Sequence, residues 1–493
     1  MPKFRNLNLH KSALIFLYIL FSIFNLVGAN AAELTLKDYL SDVIGRNHDV
    51  RSFKLQEQAS TLSADQPGLL TTPHLYFNFG HQNDKSPQLL PMFQGERRIF
   101  TNYSLGVQAL TNFGAEAKAG YTLMRQEFVG MFLAVPPPID GIRSANDPIR
   151  FFDATPEIAI TQSLLKNSFG QEIRSKIAAQ EKSIEAEKLM AQFGLQQKII
   201  EAETAYYGLV LAREALSVQM RSFERAKKIL QWSNERARLN LADRSDALQA
   251  TANLRLRELE LKTAELNKRQ AARRFNVTHK LESEVVQDQL PAVEPDAILG
   301  LTLPEAAARR LDVQSSYAQT QAQESLAKAD RSALLPDLKL SGRYAMVGRA
   351  TDSAQAMRNV SDGRYPVWSV GLQFDMPIDL NALKHARDGA ARKAAAADKS
   401  YQQKLLSEQN DWRALTDGFN DAKERLKLSV MIERTQKEKL EFERTRFNRG
   451  RSTTYQVLMF EQDYAASQLG RLQLMGEVLR LASQSRLYSK YID

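Results

Sequence analysis

The chain contains no cysteine. No disulfide can staple it and no cysteine-linked acyl chain can anchor it. It is also poor in long apolar runs: beyond one stretch near the N-terminus, nothing approaches the roughly 18 consecutive apolar residues that a membrane-spanning helix requires. If this chain crosses a bilayer, strands must do it. Histidine is scarce as well. His10, His48, His74, His81, His279 and His385 are scattered, none forms an HExxH pattern, and neither a phosphate-cradling loop nor a nucleophile elbow occurs. The sequence therefore offers no catalytic residue, no metal-ligand set and no cofactor motif. Energy for any transport must come from a partner.

Lys3, Arg5 and Lys11 precede the apolar run "ALIFLYILFSIFNLVG" (13 to 28), and Ala29-Asn30-Ala31 follows it. A basic start, a short apolar core and a small-x-small site predict a secretory signal peptide over residues 1–31. The alternative, a retained anchor, suits the run less well because it is short for a bilayer span. The formal net charge of +9 includes those three positive residues, leaving 9 − 3 = 6 on the mature chain. Its basic residues interleave with Glu along helical stretches, the pattern of solvated helix faces; no nucleic acid partner is expected.

The sequence repeats itself. "HDVRSFKLQEQA" (48 to 59) lies over "LDVQSSYAQTQA" (311 to 322), and the same shift carries Pro73 onto Pro336, a displacement of 336 − 73 = 263. Further along, Leu195, Leu216, Leu248 and Leu259 fall on Leu405, Leu426, Leu458 and Leu469, and Asn240 falls on Gly450, a displacement of 450 − 240 = 210. The halves are copies, and the first holds 263 − 210 = 53 extra residues between Leu75 and Leu195. The boundaries expected are 32–300 for the first repeat and 301–493 for the second.

Within each copy the apolar period is first seven. Leu195, Ala202, Leu209, Leu216, Phe223 and Leu230 recur at that spacing, with Ile199, Tyr206 and Met220 at a second seam position; Leu405, Trp412, Phe419 and Leu426 keep the register in the other copy. Long coiled-coil helices follow, and a continuous helix from about Gly170 to Asn240 would be roughly 100 Å long. Asn240 and Gly450 tolerate the left-handed conformation that ends a helix. After them the heptads resume, at Leu248, Ala252, Leu259 and Leu266 in one copy and at Leu458, Ala465, Leu472 and Leu479 in the other. Each interruption is read as the tip of an antiparallel helical hairpin, near 240 and near 450, instead of a kink in one straight helix.

At the other end of each copy the period becomes two. "HLYFNFG" (74 to 80), "NYSLGVQAL" (102 to 110), "EAKAGYTL" (116 to 123) and "PEIAITQSLL" (156 to 165) predict strands within 72–165; "LKLSGRY" (338 to 344) and "WSVGLQFDM" (368 to 376) predict strands within 336–377. Long loops at 82 to 98, 129 to 154 and 347 to 364 contrast with the tight "TNFGAE" turn at 111 to 116. That asymmetry suits an outer-membrane barrel. Tyr76, Phe79, Tyr103, Tyr121, Tyr344, Tyr365 and Trp368 are candidate interfacial aromatics, with a sandwich core as the alternative.

The repeated unit runs from an opening helix that starts with "LTL" (34 to 36 and 301 to 303) through strands and the passage "QSLLKNSFG" (162 to 170) to a hairpin carrying "RFNRGRSTTYQVL" (446 to 458). This order, found twice, resembles the TolC-like outer membrane efflux protein family over essentially the whole mature chain. The resemblance implies a mainly α fold with a β-barrel portion: a homotrimer whose strands close one barrel in outer membrane lipid while its hairpins form a tunnel in the periplasm. It further implies a periplasmic adaptor (membrane fusion) protein and an inner-membrane pump as partners, with drug efflux and type I secretion both open. An exported structural or adhesin-like coiled coil is the rival reading.

The resemblance also implies site residues. Arg236, Arg238 and Asn240 in one tip, and Arg446, Phe447 and Gly450 in the other, would meet the adaptor. Members resembling this chain place acidic residues at the entrance where Gln456 and Met459 stand here, and a tyrosine where Phe447 stands; Asp246 is kept. The expected gate therefore comprises Asp246, Phe447, Gln456 and Met459, closed by apolar contacts of Phe447 and Met459 amid Arg444, Arg446, Arg449 and Arg451. The surplus residues predict six strands per chain, and eighteen per trimer where the family has twelve; the rival is an external hairpin above a twelve-strand wall.

Overall fold

The computed structural model describes residues 33–131, 148–239, 243–304 and 309–489. The expected signal peptide and Asn240 lie outside them. Two compact units are formed, each drawing on both repeats: Gln56–Met190 with Asp312–Leu406, and Met1–Leu55 with Ala191–Leu311 and Ser407–Asp493.

The first unit is built on one antiparallel sheet. Its strands are β1 (His74–Asp84), β2 (Arg97–Leu110), β3 (Ala115–Val129), β4 (Ile149–Ser163), β5 (Asp337–Met346), β6 (Gly348–Ala350) and β7 (Pro366–Asp375), in the order β1-β2-β3-β4-β5-β7 with β6 also on β4. All six expected strands form. β6 extends β5 in one unbroken register, since Ala345 faces Glu157 and Gly348 faces Ala154. The interruption lies opposite Pro156, which has no N–H to give the ladder. Strands also reach into all three expected loops: β1 runs to Asp84 and β2 begins at Arg97, β4 begins at Ile149, and the stretch 347 to 364 holds β6 and a short helix, Ser353–Asn359.

Period two divides the sheet into unlike faces. One carries Leu75, Phe77 and Phe79 on β1, Tyr103, Leu105 and Val107 on β2, Tyr121 and Leu123 on β3, Ile158 and Ile160 on β4, Leu340 and Tyr344 on β5, and Trp368, Val370, Leu372 and Phe374 on β7. These residues form one apolar band across all six strands, and Trp368 is 72% exposed. The opposite face carries Asn78, Asn102, Ser104, Lys118, Thr122, Thr161, Arg343, Ser341 and Gln373.

The tight turn sits where the helices join the sheet. Thr111 N–H bonds the Ala115 carbonyl (2.8 Å), and Arg174 reaches back to the Asn112 carbonyl (3.0 Å). Gly170, at φ 78°, lies so close that a Cβ would stand 1.9 Å from that carbonyl oxygen. Only glycine serves both demands there.

The helices α1 (Leu36–Arg46), α2 (His48–Leu62), α3 (Gln171–Arg238), α4 (Arg244–Thr278), α5 (Leu311–Ala333), α6 (Leu380–Asn448) and α7 (Thr454–Ser485) complete the main elements. α3 and α6 run 68 and 69 residues without a break, as the heptads predict. Among the described residues no helix is long and apolar enough to cross a membrane. Where the sequence predicts a second opening helix, the described residues 301–304 and 309–310 are not helical, and 305–308 lie outside the described residues.

Burial departs from the predicted seams in two ways. Along α3, Leu195, Ala202 and Leu209 are buried, but further on the buried positions include Val218, Ser222, Ala226 and Ser233, while Met220 is exposed. A helix of 3.6 residues per turn drifts about 20° per heptad, so a straight helix carries a seven-residue repeat off the contact line. On α4 it is Ala250, Arg257, Ala264 and Ala272 that are buried, and Leu248, Leu259 and Leu266 face outward, Leu259 at 65% exposure. α7 follows the prediction, with Leu458, Ala465, Leu472 and Leu479 all buried.

Candidate functional site

Both hairpin tips belong to the second unit. α6 ends at Asn448, and Gly450 takes φ 72°. Its N–H bonds the Phe447 carbonyl (2.9 Å) while the Arg451 N–H bonds the Arg446 carbonyl (2.9 Å), the bond pair that closes a helix through a left-handed residue. Thr453 then caps α7, its hydroxyl accepting from the Gln456 N–H (3.3 Å). Ser452 donates to the Glu443 carboxylate. The glycine and the hydroxyl run thus stop one helix and start the next. In the first tip, Asp243 caps α4 by accepting from the Ser245 N–H (3.2 Å); residues 240 to 242, Asn240 among them, lie outside the described residues.

The other expected residues fall into separate settings. Phe447 is 6% exposed, its ring centroid 4.0 Å from that of Trp232, and the Arg236 guanidinium lies 4.6 Å from the same indole. Arg446 pairs with Glu443 (3.3 Å) and bonds the Arg451 carbonyl (3.2 Å). Arg238 is exposed at the end of α3, and Asp246 is half-buried in the first turn of α4, where a carboxylate suits the positive helix end. Gln456 is exposed. Met459 is exposed beside Tyr455, along a groove of about 270 Å³ that also includes Gln249, Asn253 and Leu256 of α4. Within the single chain it is Trp232 that packs on the Phe447 ring, and of the expected basic residues Arg444 and Arg446 are paired with carboxylates.

Two ionic clamps were not foreseen. Glu461 of α7, 5% exposed, accepts from Arg225 of α3 (2.6 Å) and from Arg444 of α6 (Nε, 3.0 Å). Arg471 of α7 reverses the signs, donating to Glu214 of α3 (2.8 Å) and Glu433 of α6 (2.5 Å). Burial works against the Arg471 charge, but these two carboxylates outweigh it and hold its pKa above the usual arginine value. Each clamp ties both long helices to α7. The sequence did carry a signal, since Glu461 stands on the stripe of Leu458, Ala465 and Leu472, where a lone carboxylate needs a partner.

Farther along the same unit, Tyr39 stacks on Phe275 (4.4 Å) and lies 4.5 Å from the His279 ring. Burial pushes the Tyr39 hydroxyl up to about 12 and lowers His279, whose Nε2 is buried without a hydrogen-bond partner among the described residues.

Residues 302–488 match the family model described as outer membrane efflux protein. That stretch is similar to an outer membrane efflux protein domain. The fold of the chain is similar to that of solved outer-membrane channels. The outer-membrane channel OprN matches at 17% identity, covering 92% of this chain and 90% of its own, with a TM-score of 0.64. The Campylobacter jejuni CmeC outer membrane channel matches at 15% identity, 92% and 85% coverage and a TM-score of 0.64. The Neisseria gonorrhoeae MtrE outer membrane channel, solved in an open state, matches at 15% identity, 92% and 88% coverage and a TM-score of 0.61. Among proteins of curated function, none matches this sequence.

Proposed function

We propose that this protein is an outer-membrane efflux channel, assembled as a homotrimer and working with a periplasmic adaptor and an inner-membrane pump. The apolar band across the sheet carries the reading. Exposed Trp, Phe and Leu side chains facing one way over six strands, with Asn, Ser, Thr, Lys and Arg facing the other, suit a wall between lipid and water. A purely structural coiled coil leaves that band unexplained. The oligomer is supported by α4, whose heptad leucines Leu248, Leu259 and Leu266 are exposed in the single chain and await a second copy. The chain itself catalyses nothing; the pump supplies the energy.

In this reading Arg236, Arg238, Asn240, Arg446 and Gly450 present the tips to the adaptor, and Phe447 shapes its tip through Trp232. Asp246, Gln456 and Met459 line the entrance. The clamps at Glu461 and Arg471 hold the second hairpin, and opening the entrance loosens them. The test is export from cells. Deleting the gene should raise intracellular accumulation of pump substrates, and the wild-type gene should restore efflux while a copy lacking residues 444–456 should not. Unchanged accumulation on deletion would count against the proposal.

A further inference from the structure

We infer that all six strands of each copy lie in the lipid-facing wall and that β7 of one copy pairs with β1 of the next, so that three copies close a barrel of eighteen strands. The number of copies rests on the channel reading above; the six-strand wall rests on the sheet alone.

The hairpin of β2 and β3 is part of the sheet over its whole length. β1 pairs with β2 from His74 opposite Gln108 to Asp84 opposite Arg98, and β3 pairs with β4 from Ala115 opposite Gln162 to Phe128 opposite Ile149. A hairpin standing clear of the wall would leave β1 and β4 to pair with each other. The apolar band decides the same way, since it crosses the hairpin at Leu105 and Tyr121 between Phe77 on β1 and Pro156 on β4.

The band also has the slant of tilted strands. On β7 it centres on Gly371, and the row through Gly371 passes Ser341, Thr161, Glu116 and Leu110. Because His74 faces Gln108, that row meets β1 at residue 72, while the band there centres on Phe77. The drift of 77 − 72 = 5 residues over five inter-strand steps is one residue per strand. With about 3.3 Å per residue and about 4.8 Å between strands, this tilts the strands by roughly 35°, within the range of membrane barrels.

Two edges remain. β1 and β7 run antiparallel, each has one side unpaired among the described residues, and neither carries a charged residue between Leu75 and Phe79 or between Val367 and Gln373. Such edges in lipid strand backbone groups at several kcal/mol each, and nothing blunts them against pairing. A second copy fits. Carrying the drift one strand further sets Gly371 opposite Asn78 of the next copy, and hence Gln373 opposite its Tyr76, polar face matched to polar face. Because diameter grows with strand number, this wall is about 1.5 times as wide as a twelve-strand one.

The absence of cysteine makes the test clean. Leu105→Cys, Leu372→Cys and Thr122→Cys are probed in outer membranes with a sulfonated, membrane-impermeant maleimide. The first two should react only after detergent is added, and Thr122→Cys should react without it. If Leu105→Cys reacts without detergent while Leu372→Cys does not, the hairpin stands outside the lipid and this inference fails while the channel reading survives. If both react, the membrane placement fails with it. In a second arm, Tyr76→Cys with Gln373→Cys, shown under reduction to assemble like wild type, should give covalent trimers on oxidation, and neither single variant should. Absence of that cross-link overturns the edge pairing.

Discussion

Phe447 packs its ring against Trp232 with centroids 4.0 Å apart, joining the end of the second long helix to the end of the first. Removing a buried phenyl ring costs about 3–5 kcal/mol, and here the loss falls on a helix end. Phe447→Ala should therefore raise amide hydrogen exchange over residues 440–456 by more than tenfold while leaving the sheet unchanged. Phe447→Leu should stay near wild type. Equal exchange in wild type and Phe447→Ala would mean that the contact does not hold the tip.

At Gly450, among the described residues and apart from its chain neighbours, no atom lies within 4 Å of where a Cβ would stand, so the cost of substitution there is that of φ. Gly450→Asn should be tolerated, whereas Gly450→Val should lose about 1 kcal/mol or more. Native gels and efflux assays should show Gly450→Val assembling but failing in transport. Normal transport by that variant would remove Gly450 from the adaptor contact.

Glu461 bridges Arg225 and Arg444. Replacing it by Gln leaves two guanidinium groups facing each other, and breaking a buried ion pair from one side costs about 3–5 kcal/mol. Replacing all three by Met, Leu and Met removes the charges as a set and should be close to neutral. Thermal unfolding should rank wild type and the triple variant together, with Glu461→Gln well below. If the triple variant falls as far as Glu461→Gln, packing and not charge explains the site.

His279 supplies a pH dependence with a definite sign. Its folded pKa is lowered by burial, so the folded state favours the neutral ring. Its stability contribution is complete above the unfolded value of about 6.5 and is lost as pH falls from there through the folded value. Melting temperature in detergent should drop between pH 7.5 and 5.5, and His279→Gln should flatten that slope. A slope unchanged in the variant would assign the dependence to another group.

Much of this was legible in the sequence because periodicity reports burial directly. The strands beginning near His74, Asn102, Glu116, Pro156, Leu338 and Trp368 and the long helix from Gln171 were all readable from period two or period seven. The partners of polar residues were not. Nothing local to Glu461 or Arg471 names Arg225 or Glu214, which lie far off in the chain and meet them only once three helices pack. The Trp232 partner of Phe447 was hidden for the same reason, since it is on another helix. The outward-facing Leu248, Leu259 and Leu266 have a seam pattern that one chain cannot satisfy, since a heptad announces a partner without saying which copy supplies it.

The central claim is that this protein forms a water-filled conduit through a bilayer, and planar-bilayer recording tests it most directly. Insertion is established first from quenching of Trp368 fluorescence by brominated lipid, since that indole is on the exposed apolar band. Discrete conductance steps are then predicted, small for wild type and larger for Glu461→Gln, in which the hairpin clamp is broken. Inserted protein that gives no steps above bare lipid, in wild type and in Glu461→Gln alike, would contradict the account.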